Sequence, residues 1–330
     1  MIATPGTDAH FRQPGPDSHW RRLNYEKWVP RESVHKADDA EVLLTDAAHL
    51  GGERYAIAAA WRRDHYLAHH GRPTADPVLL VETVRQAAIH LSHRFFDVSH
   101  GMPFVLGGAG VDLVGTLPSL STAPLSVGLV VNCRHPGADA RRLRLELEGD
   151  VWAQHRHLGR VRLRWEPMEP QRYALIRRRG GQGAPTAPTE PAPLHIPLTP
   201  ADVGHLAERD VLIAADPVRA DSWWLRLDTE HPVLFDHESD HVPGMALVEA
   251  FRQASRMIAP SPRAGAGEVS LLDVSFTAFG ELSAPVSITA HPIGDGVFAF
   301  NARQNGRELA DARIRRGAGT PAPVRIETAC

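Results

Sequence analysis

The feature that most constrains this chain is a phrase that occurs twice. LVETVRQAA spans residues 80–88, and LVEAFRQAS spans residues 247–255, which lie 167 positions further on. The same offset aligns His70 with His237 without any gap. A match of this length predicts that one structural unit is present in two copies.

The composition agrees with two units of ordinary size. The chain has 330 residues, of which 43% are hydrophobic, and this is enough for two cores. The stretch GGQGAPTAPTEPAP replaces the alternating pattern before it and predicts a linker over residues 180–193. We therefore predict an N-terminal domain over residues 30–179 and a C-terminal domain over residues 194–316.

Both halves show the same order of elements. Short apolar strands come first, then a loop rich in histidine, a long helix and several further strands. One helix among many antiparallel strands predicts an α+β architecture in which each helix packs on a curved sheet. The stretch GGAG at residues 107–110 lacks the flanking elements of a dinucleotide-binding fingerprint, and we interpret it as a turn.

Several classes of protein are excluded by charge and composition. The net charge is -3 and the basic residues form no long tract, so we expect no nucleic-acid partner. The 2 cysteines provide neither a disulfide framework nor a Cys-based zinc site. No window reaches the ~18 apolar residues of a membrane helix, and the first residues do not resemble a signal peptide. We expect no membrane partner and a cytoplasmic location.

The repeated helices carry matching polar stripes in otherwise apolar surroundings. Positions i, i+3 and i+4 share one face of a helix, and in the two copies they are Glu82, Arg85 and Gln86, and Glu249, Arg252 and Gln253. An unpaired buried charge costs several kcal/mol. Each Glu–Arg pair therefore either neutralises itself at the contact between the halves or faces a pocket.

A histidine precedes each helix carboxylate by 12 residues, namely His70 before Glu82 and His237 before Glu249. Histidine and carboxylate near a helix start are typical of acid–base chemistry, and the helix amides are suited to polarise a carbonyl. His237 and His241 are four positions apart, but they lie in a loop, so we predict no metal site. No cofactor is expected either.

The segment LFDHESDHVPGMALVEAFRQAS resembles a segment of hotdog-fold dehydratases that act on acyl carrier protein thioesters. Pro243, Gly244 and Glu249 match the Pro-Gly and Glu of that pattern. The loop is two residues shorter, and Glu-Ser-Asp replaces the Phe-Pro-Gly that follows the dehydratase histidine. This departure argues against dehydratase chemistry.

A closer resemblance is to the A-factor biosynthesis (AfsA-type) family, whose members are similar to two hotdog domains in one chain. It is carried by VHKADDAEVLLTD at 34–46, DPVLLVETVRQAAIHLSHRFFDV at 76–98 and HPVLFDHESDHVPGMALVEAFRQAS at 231–255. The resemblance implies a tandem hotdog that transfers a β-ketoacyl group from an acyl carrier protein or CoA thioester to dihydroxyacetone phosphate. The product would lead to γ-butyrolactone, butenolide or furan signals.

Two other functions stay open at this point. A hotdog thioesterase or dehydratase would act on the same kind of thioester but would not need a phosphate-binding arginine. A non-catalytic protein that senses an acyl ligand is the other alternative. Because a tandem hotdog contains its own pair of domains, both a monomer and a homodimer are compatible with the sequence.

The resemblance also assigns candidate roles. Candidate catalytic residues are Glu82, Glu249, His237 and His70, and candidate substrate-binding residues are Arg252, Arg85, Gln86, Gln253 and Gly244. By analogy with dehydratase dimers, the loop histidine of one hotdog meets the helix carboxylate of the other, which pairs His237 with Glu82 and His70 with Glu249. We expect Glu82 to be a general base if burial raises its pKa toward neutrality. Arg252 is expected to reach into the same pocket to bind phosphate, with Glu249 orienting it.

Overall fold

The computed structural model describes residues 18–72, 74–120, 124–136, 142–181, 194–258 and 268–317. Its α-helices are α1 (Pro77–Phe95), α2 (Pro170–Gly181), α3 (Pro200–Val203) and α4 (Gly244–Met257). The strands of the first half are β1 (Leu44–Gly51), β2 (Arg54–Trp61), β3 (Phe104–Leu113), β4 (Leu125–Arg134), β5 (Leu145–Ala153) and β6 (Arg156–Pro167). Those of the second half are β7 (Ile196–Pro197), β8 (Ile213–Ala215), β9 (Ser222–Leu225), β10 (Val269–Phe276), β11 (Ser287–Gly294), β12 (Val297–Gln304) and β13 (Arg307–Arg316).

Within the described residues, all of these strands belong to one sheet. Their order is β1-β2-β4-β5-β6-β3-β10-β13-β12-β11-β9-β8-β7. The halves meet where β3 and β10 pair antiparallel, with Val111 opposite Leu272. The sheets of the two halves thus continue into each other.

The stretch GGAG is not a turn, and that interpretation is wrong. Residues 107–110 lie inside β3, between β6 and β10. A Cβ on Gly108 would come within 2.8 Å of Arg164 Nη2, and a Cβ on Gly110 within 2.9 Å of Arg162 Cζ. The glycines therefore make room for arginine side chains on the neighbouring strand, which the local sequence does not reveal.

The two long helices lie side by side in the core. Both are buried around most of their circumference, and the main core cluster contains side chains from both helices and both halves of the sheet. Arg252, late in α4, approaches Asp76 at the start of α1, whereas Arg85 shares a cavity wall with Gly244 at the start of α4. The end of α4 thus lies near the start of α1, and the start of α4 lies on the same cavity as the middle of α1, which is an antiparallel arrangement.

The connection between the halves differs in part from the prediction. The helix α2 was not expected, and it occupies the end of the predicted domain 30–179. Of the predicted linker 180–193, Gly180 and Gly181 belong to α2, and residues 182–193 lie outside the described residues. None of the described helices combines the length and apolar character that crossing a membrane requires.

Candidate active site

A cavity of about 1010 Å³ lies between the two halves of the chain. Its polar wall includes His35, Lys36, Tyr66, Arg85, Asp236 and His237, and its apolar wall includes Ile89, Leu106, Trp165, Met245, Leu247 and Phe276. Tyr173 and Ile176 of α2 also line it. A concave, mostly apolar site with a few converging charges is typical of small-molecule binding.

Glu82 lies behind the polar wall and is completely buried. Arg85 donates to both of its oxygens, from Nε at 2.7 Å and from Nη2 at 2.9 Å. Lys36 Nζ is 3.2 Å from Oε1, and Gln86 Nε2 donates to the same oxygen at 3.0 Å. The carboxylate therefore holds two cations, Lys36 and Arg85, at the cavity wall.

The protonation state of Glu82 differs from the expectation. Burial by itself raises the pKa of the carboxyl, but the charges of Arg85 and Lys36 outweigh burial and hold the pKa well below its usual range. Burial works against the charge of Arg85 as well, yet Glu82 raises the pKa of that guanidinium above its ordinary value. The expectation of a pKa near neutrality is wrong because the partners of the carboxylate are cations.

The loop before α4 brings an Asp–His pair to the same wall. Asp236, whose side chain is 3% exposed, accepts a hydrogen bond from His237 Nδ1 at 2.6 Å, and Lys36 Nζ lies 3.7 Å from its other oxygen. An imidazole that donates from Nδ1 keeps its lone pair on Nε2. His237, 56% exposed, is thus oriented as a base at the cavity. It lines the same wall as Lys36 and Arg85, the cations that Glu82 holds, but within the described residues His237 makes no hydrogen bond or ion pair with Glu82.

The start of α4 lies at the cavity and has no side-chain cap. Gly244 and Met245 both line the cavity, and the residue before them, Pro243, has no side chain that can cap the helix. By contrast, the start of α1 is capped because Asp76 Oδ1 accepts from Val78 N at 2.7 Å. Uncapped amides at a helix start are suited to hold an anion or a developing oxyanion.

The polar stripe of α4, formed by Glu249, Arg252 and Gln253, does not face the cavity. Glu249 is completely buried, with Arg252 Nη2 at 2.6 Å and His205 Nε2 at 2.8 Å from its Oε1. Arg252 Nη2 also donates to the carbonyl of Val203 at 3.1 Å, and the Asp76 carboxylate lies 3.6 Å from its Nε. Neither Glu249 nor Arg252 lines the cavity, so Arg252 does not reach into the pocket beside Glu82 as we had expected.

His70 lies beside His205, the hydrogen-bond partner of Glu249, and makes no direct hydrogen bond or ion pair with Glu249 within the described residues. Its ring is 5.4 Å from that of His205 and 5.0 Å from that of His65. Burial, assisted by the neighbouring imidazoles, lowers the pKa of His70 to about 4. Ligand atoms of these three histidines lie within 4.8 Å of one another, and so do those of His65, Asp76 and Glu249. Within the part of the chain that the structure describes, these two groups have the spacing of metal ligands, although Arg252 already pairs with the carboxylate of Glu249.

Comparison with known proteins identifies the family. The profile of the A-factor biosynthesis hotdog domain (AfsA) matches residues 22–168 and 186–317. The chain belongs to the AfsA family. It is 34% identical over 80% of its length to a 2-oxo-3-(phosphooxy)propyl 3-oxoalkanoate synthase from Streptomyces virginiae, 87% of which is covered. A protein of the same name from Streptomyces coelicolor is 31% identical over 79% of this chain and 81% of its own.

Among solved structures, an acyl-ACP thioesterase from Bacteroides thetaiotaomicron aligns with 80% of this chain and 98% of its own at 11% identity, with a TM-score of 0.49. That likeness is too distant to add to the assignment. The tandem hotdog expected from the sequence is confirmed by the two AfsA hotdog matches within the chain.

In this AfsA chain, the glutamines of the stripes have a structural task. Gln86 accepts from Leu43 N at 2.8 Å and donates to the Glu41 carbonyl at 2.8 Å. These bonds fix the backbone that precedes β1. Gln253 makes the same pair of bonds in front of β8, with Leu212 N at 2.9 Å and the Asp210 carbonyl at 2.7 Å. Neither glutamine lines the cavity, so their predicted contact with substrate has no support in the geometry.

The sequence analysis missed Lys36, His205 and Asp236. Lys36 and His205 are 169 positions apart, the same spacing that separates the two glutamine-bound segments before β1 and β8. They occupy equivalent places, each bonded to the helix carboxylate of its own half. Extending the repeat toward the N-terminus with a two-residue change of offset would have found both. Asp236 was hidden inside a loop with several acidic residues.

Proposed function

We propose that this AfsA-family protein transfers a β-ketoacyl group from a thioester to a hydroxyl of dihydroxyacetone phosphate. The observation that carries the proposal is one cavity that combines an apolar wall, the cations Lys36 and Arg85, and the base His237. The relatives are named 2-oxo-3-(phosphooxy)propyl 3-oxoalkanoate synthases, and this name describes an ester of the same two parts.

The acceptor phosphate is assigned to Lys36 and Arg85. Arg85 uses Nε and Nη2 for Glu82, which leaves Nη1 for a ligand, and its side chain is 21% exposed. Ammonium and guanidinium groups are the usual partners of phosphate oxygens. Glu82 is then a positioning residue, because it orients both cations without lining the cavity itself.

The transfer step uses His237 and the start of α4. His237 Nε2 takes the proton of the acceptor hydroxyl while the hydroxyl oxygen bonds to the thioester carbon. The amides at the start of α4, at Gly244 and Met245, stabilise the negative oxygen of the tetrahedral intermediate. The carbon–sulfur bond then breaks, and the proton held by His237 passes to the leaving thiolate, so the free thiol and the ester are released.

A thioesterase would use the same cavity with water as the nucleophile. Such a reaction would not need Lys36 and Arg85, the two cations that the buried Glu82 holds at the wall. A non-catalytic acyl sensor would need neither the Asp236–His237 pair nor the uncapped amides. Because both halves of one chain build the cavity, we propose that a monomer is sufficient for catalysis, even if two chains associate. A cytoplasmic location is part of the proposal, and both an acyl carrier protein and CoA are admitted as donors.

The test is a transfer assay with a β-ketoacyl thioester and dihydroxyacetone phosphate, with the product identified by mass spectrometry. The wild type should form the phosphorylated ester or its dehydrated ring. His237→Asn should lower turnover by about 10²-fold or more, the usual scale for a lost general base. His291→Asn, at an exposed histidine on β11, is the matched control and should be unaffected.

Two results would contradict the proposal. Release of the free β-keto acid by the wild type without any ester would support a thioesterase. Full turnover by His237→Asn, in a sample whose circular dichroism matches the wild type, would remove His237 from the reaction.

A further inference from the structure

The large cavity continues into a smaller one beneath α2. The smaller cavity, of about 210 Å³, is lined by Ile176, Arg179, Phe279 and Arg307. All of these except Arg179 also line the large cavity. The two spaces are therefore adjoining parts of one cleft, which passes between α2 and the hairpin of β12 and β13.

This end of the cleft carries two arginines whose charge is not neutralised. Arg179 and Arg307 are exposed, and neither side chain has a hydrogen bond or ion pair with any part of the chain that the structure describes. Their neighbour Arg177 differs, because it pairs with Glu281 at 2.9 Å and with Asp240 at 2.9 Å. The carboxylates at this end are thus already engaged by Arg177.

The cleft accordingly has two cationic groups on different elements. Lys36 and Arg85 lie beside Glu82, whereas Arg179 ends α2 and Arg307 begins β13. The first pair is assigned to the acceptor phosphate in the proposed function. The second pair is available to a different anion, one that reaches the same cavity from α2.

We propose that Arg179 and Arg307 bind the phosphate of a phosphopantetheine arm, the group that carries the acyl donor. The inference rests on the proposed function, and it deepens it by locating the donor. A thioester at His237 leaves its pantetheine arm to extend out of the cleft, and the arm ends in a phosphate. Ile176 and Phe279 supply apolar contacts for the arm, and the arginines match the phosphate. The same phosphate is present in CoA and on an acyl carrier protein.

The experiment compares three donors that carry the same β-ketoacyl group. One is the CoA thioester, one is the acyl carrier protein thioester, and one is the N-acetylcysteamine thioester, which lacks the phosphate. They are assayed with the wild type, with Arg179→Gln, with Arg307→Gln and with the double variant. Arg178→Gln is the matched control, since Arg178 is an exposed neighbour on α2 that lines neither cavity and, among the described residues, its side chain bonds only to the Ala174 carbonyl.

The double variant should lose about tenfold or more of kcat/KM with the phosphate-bearing donors, which is the scale of a lost charge-assisted phosphate contact. It should keep wild-type kcat/KM with the N-acetylcysteamine donor, and Arg178→Gln should keep it with all three. A loss confined to one phosphate-bearing donor identifies that donor as the source of the phosphate.

The inference is overturned if the double variant is unchanged with every donor, if it loses as much with N-acetylcysteamine, or if Arg178→Gln loses as much. Ester formation by the wild type from any donor separates this failure from failure of the proposed function. The single variants provide the same comparison if the double variant does not fold. If the wild type makes no ester from any donor, the proposed function itself is wrong.

Discussion

At the scale of single residues, Glu82 shows how its partners determine what a buried carboxylate does. A carboxyl alone in an apolar core has a raised pKa and can act as an acid or base near neutral pH. Glu82 instead accepts hydrogen bonds from Arg85 and Gln86 and forms an ion pair with Lys36, and it stays ionised. Its effect on the reaction is therefore transmitted through the positions of two cations.

Glu82→Gln tests this role because the change is nearly isosteric. It should raise the KM for dihydroxyacetone phosphate by about tenfold or more, since Arg85 loses its two-point anchor. It should also lower the free energy of unfolding by about 3 kcal/mol, because buried cations lose their counter-charge. Steady-state kinetics over a range of pH and urea denaturation provide the measurements.

Glu249→Gln is the matched control on the other stripe. Arg252 loses its partner in the same way, so the free energy of unfolding should fall by a similar amount of about 3 kcal/mol, but the KM for the acceptor should not change. The positioning role of Glu82 is contradicted if Glu82→Gln lowers kcat at unchanged KM and abolishes the acid limb of the pH–rate profile. That pattern would indicate that Glu82 is the general base.

At the scale of elements, the two long helices differ most at their first residues. Helix α1 begins after Asp76, whose carboxylate caps the helix and lies 3.3 Å from His65 Nε2. Helix α4 begins after Pro243 without a side-chain cap, and its first residues line the cavity. The repeat thus contains one helix start that is already occupied by its own side chain and one that is available to a ligand.

Two variants at Asp76 distinguish the effect of capping α1 from the effect of the carboxylate charge. Asp76→Ser keeps a side-chain acceptor for Val78 N, whereas Asp76→Ala removes it. We expect the alanine variant to be less stable than the serine variant by about 1 kcal/mol, the usual value of an N-cap. Thermal and urea unfolding of the two proteins measure the difference, and equal stability would show that the cap of α1 contributes nothing.

At the scale of the whole molecule, several histidines are buried in the neutral form. His35, His70 and His90 each have a pKa lowered to about 4, with burial as the main cause. Between pH 6.5 and 4, the unfolded chain binds protons at these positions and the folded chain does not. Their contribution to the free energy of unfolding is therefore complete above pH 6.5 and is lost as the pH falls toward 4.

The burial of these groups predicts a protein that loses stability in mild acid. For His90, which is 7% exposed, the free energy of unfolding should fall by about 1.4 kcal/mol per pH unit in this window. His35 and His70 are more exposed and should contribute less. His205, whose pKa is raised, does not offset the loss, because its contribution changes only at higher pH.

His90→Gln checks the sign and the size of this effect. Urea denaturation of the wild type and of His90→Gln at pH 7, 6 and 5 should show a shallower pH dependence in the variant. Identical slopes for the two proteins would mean that His90 is accessible to protons in the folded state.

The sequence by itself determined the architecture of this protein. An ungapped repeat predicts two similar structural units. An apolar helix with one polar stripe is buried, with that stripe facing a partner. Glu82, Arg85 and His237 could be selected on those grounds because helical spacing and residue chemistry are local properties. The family also followed from contiguous segments, since these carry their pattern without any knowledge of the fold.

Only the tertiary structure decided which of the two similar stripes faces an open cavity. Lys36, Glu82 and Asp236 meet although they are far apart in the chain, and this meeting keeps Glu82 ionised and orients His237. The equivalent space in the other half is filled by His205 and Asp76. Burial and charge at a site depend on contacts between distant segments, so two nearly identical phrases of sequence acquire different chemistry.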